Sequence, residues 1–202
     1  MRSYKINKLL NNLFHDRKNS VLPSIVCILD DLKAYKQYIA NLPKHNSLVL
    51  VRDYKSRRRK YFTKIIAQLC RQKGIKILIA GDPELARSVN ADGLHISEGD
   101  FFRLRVWKYK MPKWIITTSA HTVKRLFIAR HYQMDAVFYS SVFFTNSHPD
   151  RKPLGILRFM RDTNILGLPP IYALGGITGQ NLNKLLYSNI IGIAGIRIFR
   201  SK

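Results

Sequence analysis

The stretch KILIAGDPELARSVNADGLHISEGD, residues 76–100, decides the fold. An apolar run, KILIAG (76–81), gives way at once to a helix start, DPELA. Asp82 suits the cap, Pro83 the first helical position and Glu84 the first turn. A second apolar run, GLHIS (93–97), follows, and Ser97 to Asp100 resembles the beginning of another helix. The unit reads strand, helix, strand, helix.

The same alternation extends in both directions. SIVCILD (24–30) and SLVLVRD (47–53) lie upstream; WIITTSA (114–120), AVFYSSV (136–142), PIYALGG (170–176) and IIGIAGI (190–196) lie downstream. These runs are continuously hydrophobic, as strands buried on both faces are. Helical periodicity fills the gaps in FTKIIAQLCRQKG, which stops at Gly74, in TVKRLFIARHYQ and in QNLNKLLYSN. Eight βα units predict an α/β protein, a compact (β/α)8 TIM barrel. An open doubly wound sheet is the alternative. The 202 residues suffice for one domain, residues 1–202. Residues 1–20 place Ile6, Leu9, Leu10, Leu13 and Phe14 at helical spacing, which predicts an N-terminal helical extension docked on the body or on a membrane surface. The C-terminal end is short, with only FRSK after the last run.

Thirty-five basic residues face twelve acidic ones, a net charge of +23. This balance admits a nucleic-acid partner, phosphorylated small molecules, or a merely solvated basic surface. The densest cluster is KSRRRK, residues 55–60. No stretch reaches the ~20 apolar residues of a membrane span. Cys27 and Cys70 have no metal-binding spacing and imply no disulfide framework, so a reducing cytoplasm is expected.

In a barrel the chemistry sits at the C-terminal ends of the strands. Those ends carry Arg52, Asp82, Ser97, Asp100, Ser119, His121, the loop FFTNSHPDRKPLG, Gly175-Gly176, Ile196 and Arg197. A glycine pair before a polar helix start lets phosphate oxygens approach backbone N–H groups. Thr178 is the expected cap of that helix. Asp82 and Asp100 each have a structural reading as helix starters; as a pair on neighbouring strands they suit Mg²⁺. His121 is a candidate proton carrier. His95, between Leu94 and Ile96, reads as an internal barrel residue.

Taken in order, ADGLHISEGD, TTSAHT, VFFTNSHPDRKPLG and YALGGIT resemble the thiamine phosphate synthase family and its thiazole tautomerase relatives. The first of these follows the family pattern ADG-V-H-L-G-Q-x-D. The resemblance implies a transferase that joins a pyrimidine methyl diphosphate to a thiazole phosphate. It assigns Mg²⁺ to Asp82 and Asp100, and the diphosphate to Arg52, Ser119 and Thr145, with Ser147 standing where the family has a second threonine. It assigns the thiazole phosphate to Gly176, with Gly175 beside it, and to the Ile196 region.

This chain also departs from the pattern. The arginine-acid-lysine triplet appears as RDY, with Tyr54 at the lysine and Leu50 at the preceding glutamine. Gly81 replaces an asparagine, His148 a lysine and Arg197 a serine. Three readings therefore stand beside a divergent synthase: a thiazole phosphate tautomerase using His121, a barrel that binds a phosphate ligand without chemistry, and a basic nucleic-acid-binding protein.

Overall fold

Each of the eight apolar runs forms a strand, and the strands lie parallel in sequence order around a closed barrel. They are β1 (Ile25–Leu29), β2 (Ser47–Val51), β3 (Lys76–Ala80), β4 (Gly93–Ile96), β5 (Ile115–Ala120), β6 (Ala136–Ser140), β7 (Ile171–Leu174) and β8 (Gly192–Gly195). The computed structural model describes residues 22–145, 150 and 152–199, with the backbone alone at 101–105 and 197. The expected helical extension over residues 1–20 lies outside them.

Alternate residues of each strand belong to two different apolar layers. Val26, Ile28, Leu48, Leu50, Leu78, Phe138, Tyr172 and Ala194 pack together inside the barrel. Ile25, Cys27, Leu29, Val49, Val51, Ile77, Ile79 and Ile116 pack outward, against the helices. This double burial explains the unbroken hydrophobic runs. It also holds both cysteines as free, buried thiols; burial pushes the Cys70 thiol up to about 12.

Among the described residues, six α-helices cover the outside: α1 (Tyr35–Ile39), α2 (Arg59–Lys73), α3 (Pro83–Ser88), α4 (Phe101–Lys110), α5 (Val123–His131) and α6 (Ile156–Thr163). Helix α2 ends at Gly74, whose φ of 63° is the left-handed conformation expected of that stop. Asp82 caps α3 by accepting from the Leu85 N–H at 2.9 Å, and Thr122 caps α5. On α6, Phe159 is buried against Tyr139, with ring centroids 5.6 Å apart.

Two expectations need correction. QNLNKLLYSN does not form an α-helix; only Leu182–Leu185 winds, as a 3-10 turn. Thr178 is not its cap. Instead Asn181 Oδ1 accepts from the Thr178 N–H at 2.8 Å, and Asn181 Nδ2 donates to Gly176 O at 2.9 Å. The segment is too short and too closely tied to the preceding turn to complete α-helical bonds. After β8 a further 3-10 turn, Arg197–Phe199, takes the place of a final helix.

The bottom of the barrel repeats one device. Asn46, Asp92 and Asp135 each stand immediately before an even-numbered strand. Their side chains accept from Ser24 N–H at 2.8 Å, Ile77 N–H at 2.8 Å and Ile116 N–H at 2.7 Å. Each bond ties an even strand to the start of the odd strand before it. Asp135 is also paired with Lys108, and Asp92 with Lys76.

Close strand contacts demand glycine at the start of β4. A Cβ on Gly93 would come within 2.0 Å of Ile115 O, whereas one on Gly99 meets nothing within 4 Å. Gly93→Ala is therefore expected to lower stability by about 2–3 kcal/mol. Gly99→Ala should change it by less than about 0.5 kcal/mol. Urea unfolding of both variants checks the pair.

Candidate functional site

Closing the sheet brings the ends of five strands around one cavity of about 430 Å³. Arg52 enters from β2, Ser119 and His121 from β5, Thr145 from the segment after β6, Gly175 and Gly176 from the end of β7, and Ile196 from β8. Seven of the residues singled out in the sequence thus share one wall-to-wall space. Ser140, Ser141 and Phe144 also line it and were not singled out, and Thr178, expected only as a helix cap, lines it too. Ser147 and His148 lie outside the described residues. Arg197 has its backbone in the turn just past Ile196, and its side chain is outside the described atoms.

The two glycines have a steric reason. Their φ angles are +100° at Gly175 and +67° at Gly176. A Cβ on Gly176 would stand 2.2 Å from Phe144 O, and one on Gly175 2.8 Å from Ser141 Cα. The strand-six segment therefore leans directly on this turn, and Phe143 N–H donates to Gly175 O at 3.1 Å. Bare backbone in this conformation also forms the concave turn that suits an anion. Packing thus requires glycine at both positions.

Beneath the cavity a polar chain runs through the barrel. His95 is buried, as the sequence implied. Its Nδ1 lies 3.0 Å from Thr117 Oγ1 and its Nε2 3.2 Å from Ser119 Oγ. Burial, with the Arg52 charge adding to it, lowers the imidazole from 6.5 to about 3. His95 is thus a neutral ring that orients the Ser119 hydroxyl at the cavity floor.

His121 sits higher. Its Nδ1 lies 2.9 Å from Ser140 O and 3.2 Å from Ser140 Oγ. Its Nε2 faces Glu98 Oε2 at 3.5 Å, and the other Glu98 oxygen lies 3.1 Å from Arg125 Nε. Glu98 occupies the glutamine position of the ADG-V-H-L-G-Q-x-D pattern. Sequence reasoning passed over it, although a carboxylate in place of an amide was a visible signal.

Asp82 and Asp100 do not line the cavity; they stand on the neighbouring rim. Asp82 Oδ1 is the α3 cap, and Asp82 Oδ2 lies 3.8 Å from Arg59 Nη1. Asp100 Oδ2 accepts from the Ser97 hydroxyl at 2.8 Å. No group of three or more His, Cys, Asp or Glu side chains suited to a metal occurs among the described residues. Mg²⁺ needs fewer: one or two carboxylates, completed by water and phosphate oxygens. One oxygen of each aspartate is outside these hydrogen bonds, so the donor set fits an ion that arrives with such ligands. Asp53, next to Arg52, has a structural role. Its carboxylate accepts from the backbone N–H groups of Leu32, Lys55 and Ser56, at 3.2, 3.0 and 3.0 Å.

The family model described as thiamine monophosphate synthase matches residues 25–199. The chain belongs to this family. An Aquifex aeolicus relative, provisionally named thiamine-phosphate synthase 2, is 30% identical over 184 residues, which are 88% of this chain and 98% of that protein. The thiamine-phosphate synthase of Geobacillus thermodenitrificans is 31% identical over 139 residues, 67% of this chain and 62% of the relative. The match to the second therefore spans less than two thirds of its length. Among solved structures, thiamine phosphate pyrophosphorylase from Pyrococcus furiosus superposes with a TM-score of 0.70 at 21% identity, covering 87% of this chain and 86% of that one. The 2-keto-3-deoxy-6-phosphogluconate aldolase of Zymomonas mobilis gives 0.62 at 11% identity, over 92% and 85%. These structures share the barrel fold. No helix among the described residues is long and apolar enough to cross a membrane.

His95 makes stability depend on pH. Its folded pKa is depressed, so the unfolded chain binds the proton more readily. The stabilisation is complete above 6.5 and is lost as pH falls towards about 3. Within that window this group should contribute a slope of about 1.4 kcal/mol per pH unit. Urea unfolding across the window should show that slope in the native chain and its loss in His95→Gln. Parallel slopes would mean that the buried ring is charged.

Proposed function

We propose that this chain is a thiamine phosphate synthase. The observation that carries the reading is the convergence of Arg52, Ser119, Thr145 and the Gly175-Gly176 turn on one cavity, in a member of this family. The substrates are a pyrimidine methyl diphosphate and a thiazole phosphate. The bond between the methyl carbon and the diphosphate oxygen breaks, and its electron pair leaves with pyrophosphate. The thiazole nitrogen lone pair then forms the new C–N bond to the resulting carbocation.

Each residue role follows from where charge develops. Negative charge grows on the departing diphosphate, so preplaced donors and cations accelerate its departure. Arg52 and Thr145 bind that group, and Ser119, held from below by His95, donates to it. Gly175, Gly176 and the Ile196 backbone receive the thiazole phosphate. Ser147, His148 and Arg197 are assigned to phosphate contacts by resemblance alone. Asp82 and Asp100 hold Mg²⁺, which neutralises charge on the leaving diphosphate when it is bound. A cytoplasmic location accords with buried free thiols.

A second reading, a thiazole phosphate tautomerase, draws on one observation: His121 stands in the cavity wall between Ser140 and Glu98. That arrangement suits a proton carrier. Tautomerisation requires no departing diphosphate. Isomerisation that survives EDTA and disappears in His121→Gln would favour it over the synthase.

The decisive experiment combines purified protein with both substrates and Mg²⁺ and detects product by mass spectrometry. Thiamine phosphate should form. Arg52→Ala should slow its formation by about 10²- to 10³-fold, the usual loss for one preorganised electrostatic contact. Gly176→Ala should abolish it, because the added methyl collides with Phe144 O. No product with any divalent metal would refute the synthase reading.

A further inference from the structure

We propose that Arg59 is the second cation of the diphosphate site, in place of the lysine that the family pattern has at position 54. The inference rests on the synthase reading. Position 54 is Tyr54 here and brings no positive charge. Its ring lies over Gly81: a Cβ there would approach Tyr54 Cε1 to 3.3 Å. The family pattern has an asparagine at that position. The exchanges at 54 and 81 are therefore one change, with the aromatic ring taking the room an amide side chain would need.

The ring in turn carries Arg59. The guanidinium carbon stands 5.1 Å from the Tyr54 ring centroid, a cation–π arrangement. Arg59 Nη2 donates to Ala80 O at 2.6 Å, the last residue of β3. The charge is thereby fixed on the rim one strand away from Arg52. Arg59 Nη1 and Asp82 Oδ2, 3.8 Å apart, form a loose ion pair rather than a hydrogen bond. Burial raises the Tyr54 hydroxyl, while Arg59 and Arg52 both pull it down, so two guanidiniums act on the same spot.

Two features lack an explanation if Arg59 only fastens α2 to β3. Its Nε is buried and has no acceptor, and an unpaired charged donor is costly. In addition, Arg58, Arg59 and Lys60 open the 15-residue helix α2, whose first turn has no acid and whose cap makes no side-chain hydrogen bond. Cations at the positive end of a helix repel it. A diphosphate beside Arg59 would offset the charge repulsion at the helix start. The only carboxylate facing Arg59 among the described residues is Asp82, in that loose pair, so Arg59 and Arg52 can divide one polyanion between them.

The test is a calorimetric titration of the full chain with inorganic pyrophosphate in EDTA, which removes any metal contribution. Arg59→Gln should weaken pyrophosphate binding about tenfold or more, as loss of a charge-assisted contact does. Arg59→Lys should retain most of the affinity, and the double variant Tyr54→Lys, Arg59→Gln should recover it by returning the charge to position 54. Unchanged affinity in Arg59→Gln, or no recovery in a folded double variant, would overturn the proposal. A measurement on the unaltered chain guards against misfolding of the variants. Pyrophosphate should slow phenylglyoxal modification of Arg59, read by mass spectrometry, and an unaltered rate would overturn the proposal. Thiamine phosphate formation by the unaltered chain separates the two ideas. Product with the pyrophosphate pattern absent refutes Arg59 alone. The pattern without product refutes the synthase reading and leaves Arg59 as an anion ligand.

Discussion

The pairing of β1 with β8 is the constraint on which the molecule depends. Ile25, Val26 and Cys27 align with Ile193, Ala194 and Gly195, and this ladder turns a row of strands into a ring. The contact is tight: a Cβ on Gly192 would lie 2.1 Å from Ser24 O. Without that seam, both end strands would expose unpaired N–H and C=O groups. The walls of the cavity would also separate, because Arg52 arrives from one side of the seam and Ile196 from the other. Closure is thus a stability device and the act that assembles the site.

The two ends of the barrel divide the work. At the bottom, side-chain oxygens of Asn46, Asp92 and Asp135 satisfy strand N–H groups and fix register. At the top, polar groups are left facing a cavity. Between them, His95 carries order upward from Thr117 to Ser119 at the price of a depressed imidazole. A neutral, hydrogen-bonded ring is the form of histidine that a dry barrel interior tolerates. The large positive charge of the chain adds a long-range attraction for phosphorylated molecules.

The barrel was legible because each strand is buried on both faces, which leaves an unbroken apolar run in the chain itself. Gly74 and Asp82 marked helix ends through local rules that hold irrespective of neighbours. QNLNKLLYSN misled for the opposite reason. Its apolar spacing at Leu182, Leu185 and Leu186 fits a helix, yet Asn181 bonds back to the glycine turn and only a 3-10 turn forms. Glu98 was passed over as well, and Arg59 was read only as part of the basic cluster KSRRRK. Neither is unusual in its own segment; each gains meaning from a partner on another strand or helix, His121 for one and Tyr54 for the other.

The sequence by itself determined the number of strands, their order, the glycine turn after the seventh and the kinship of the ordered motifs. These are written in periodicity and in residues whose effect is local. Only the tertiary structure decided which polar groups meet. It joined His95 to Ser119 and His121 to Glu98. It set Asp82 beside Arg59 on the rim rather than in the cavity wall, and placed an arginine against the tyrosine that replaces a lysine. Such meetings depend on the tilt and register of strands closed into a ring, and those distances arise between segments far apart in the chain, where no short window of residues carries them.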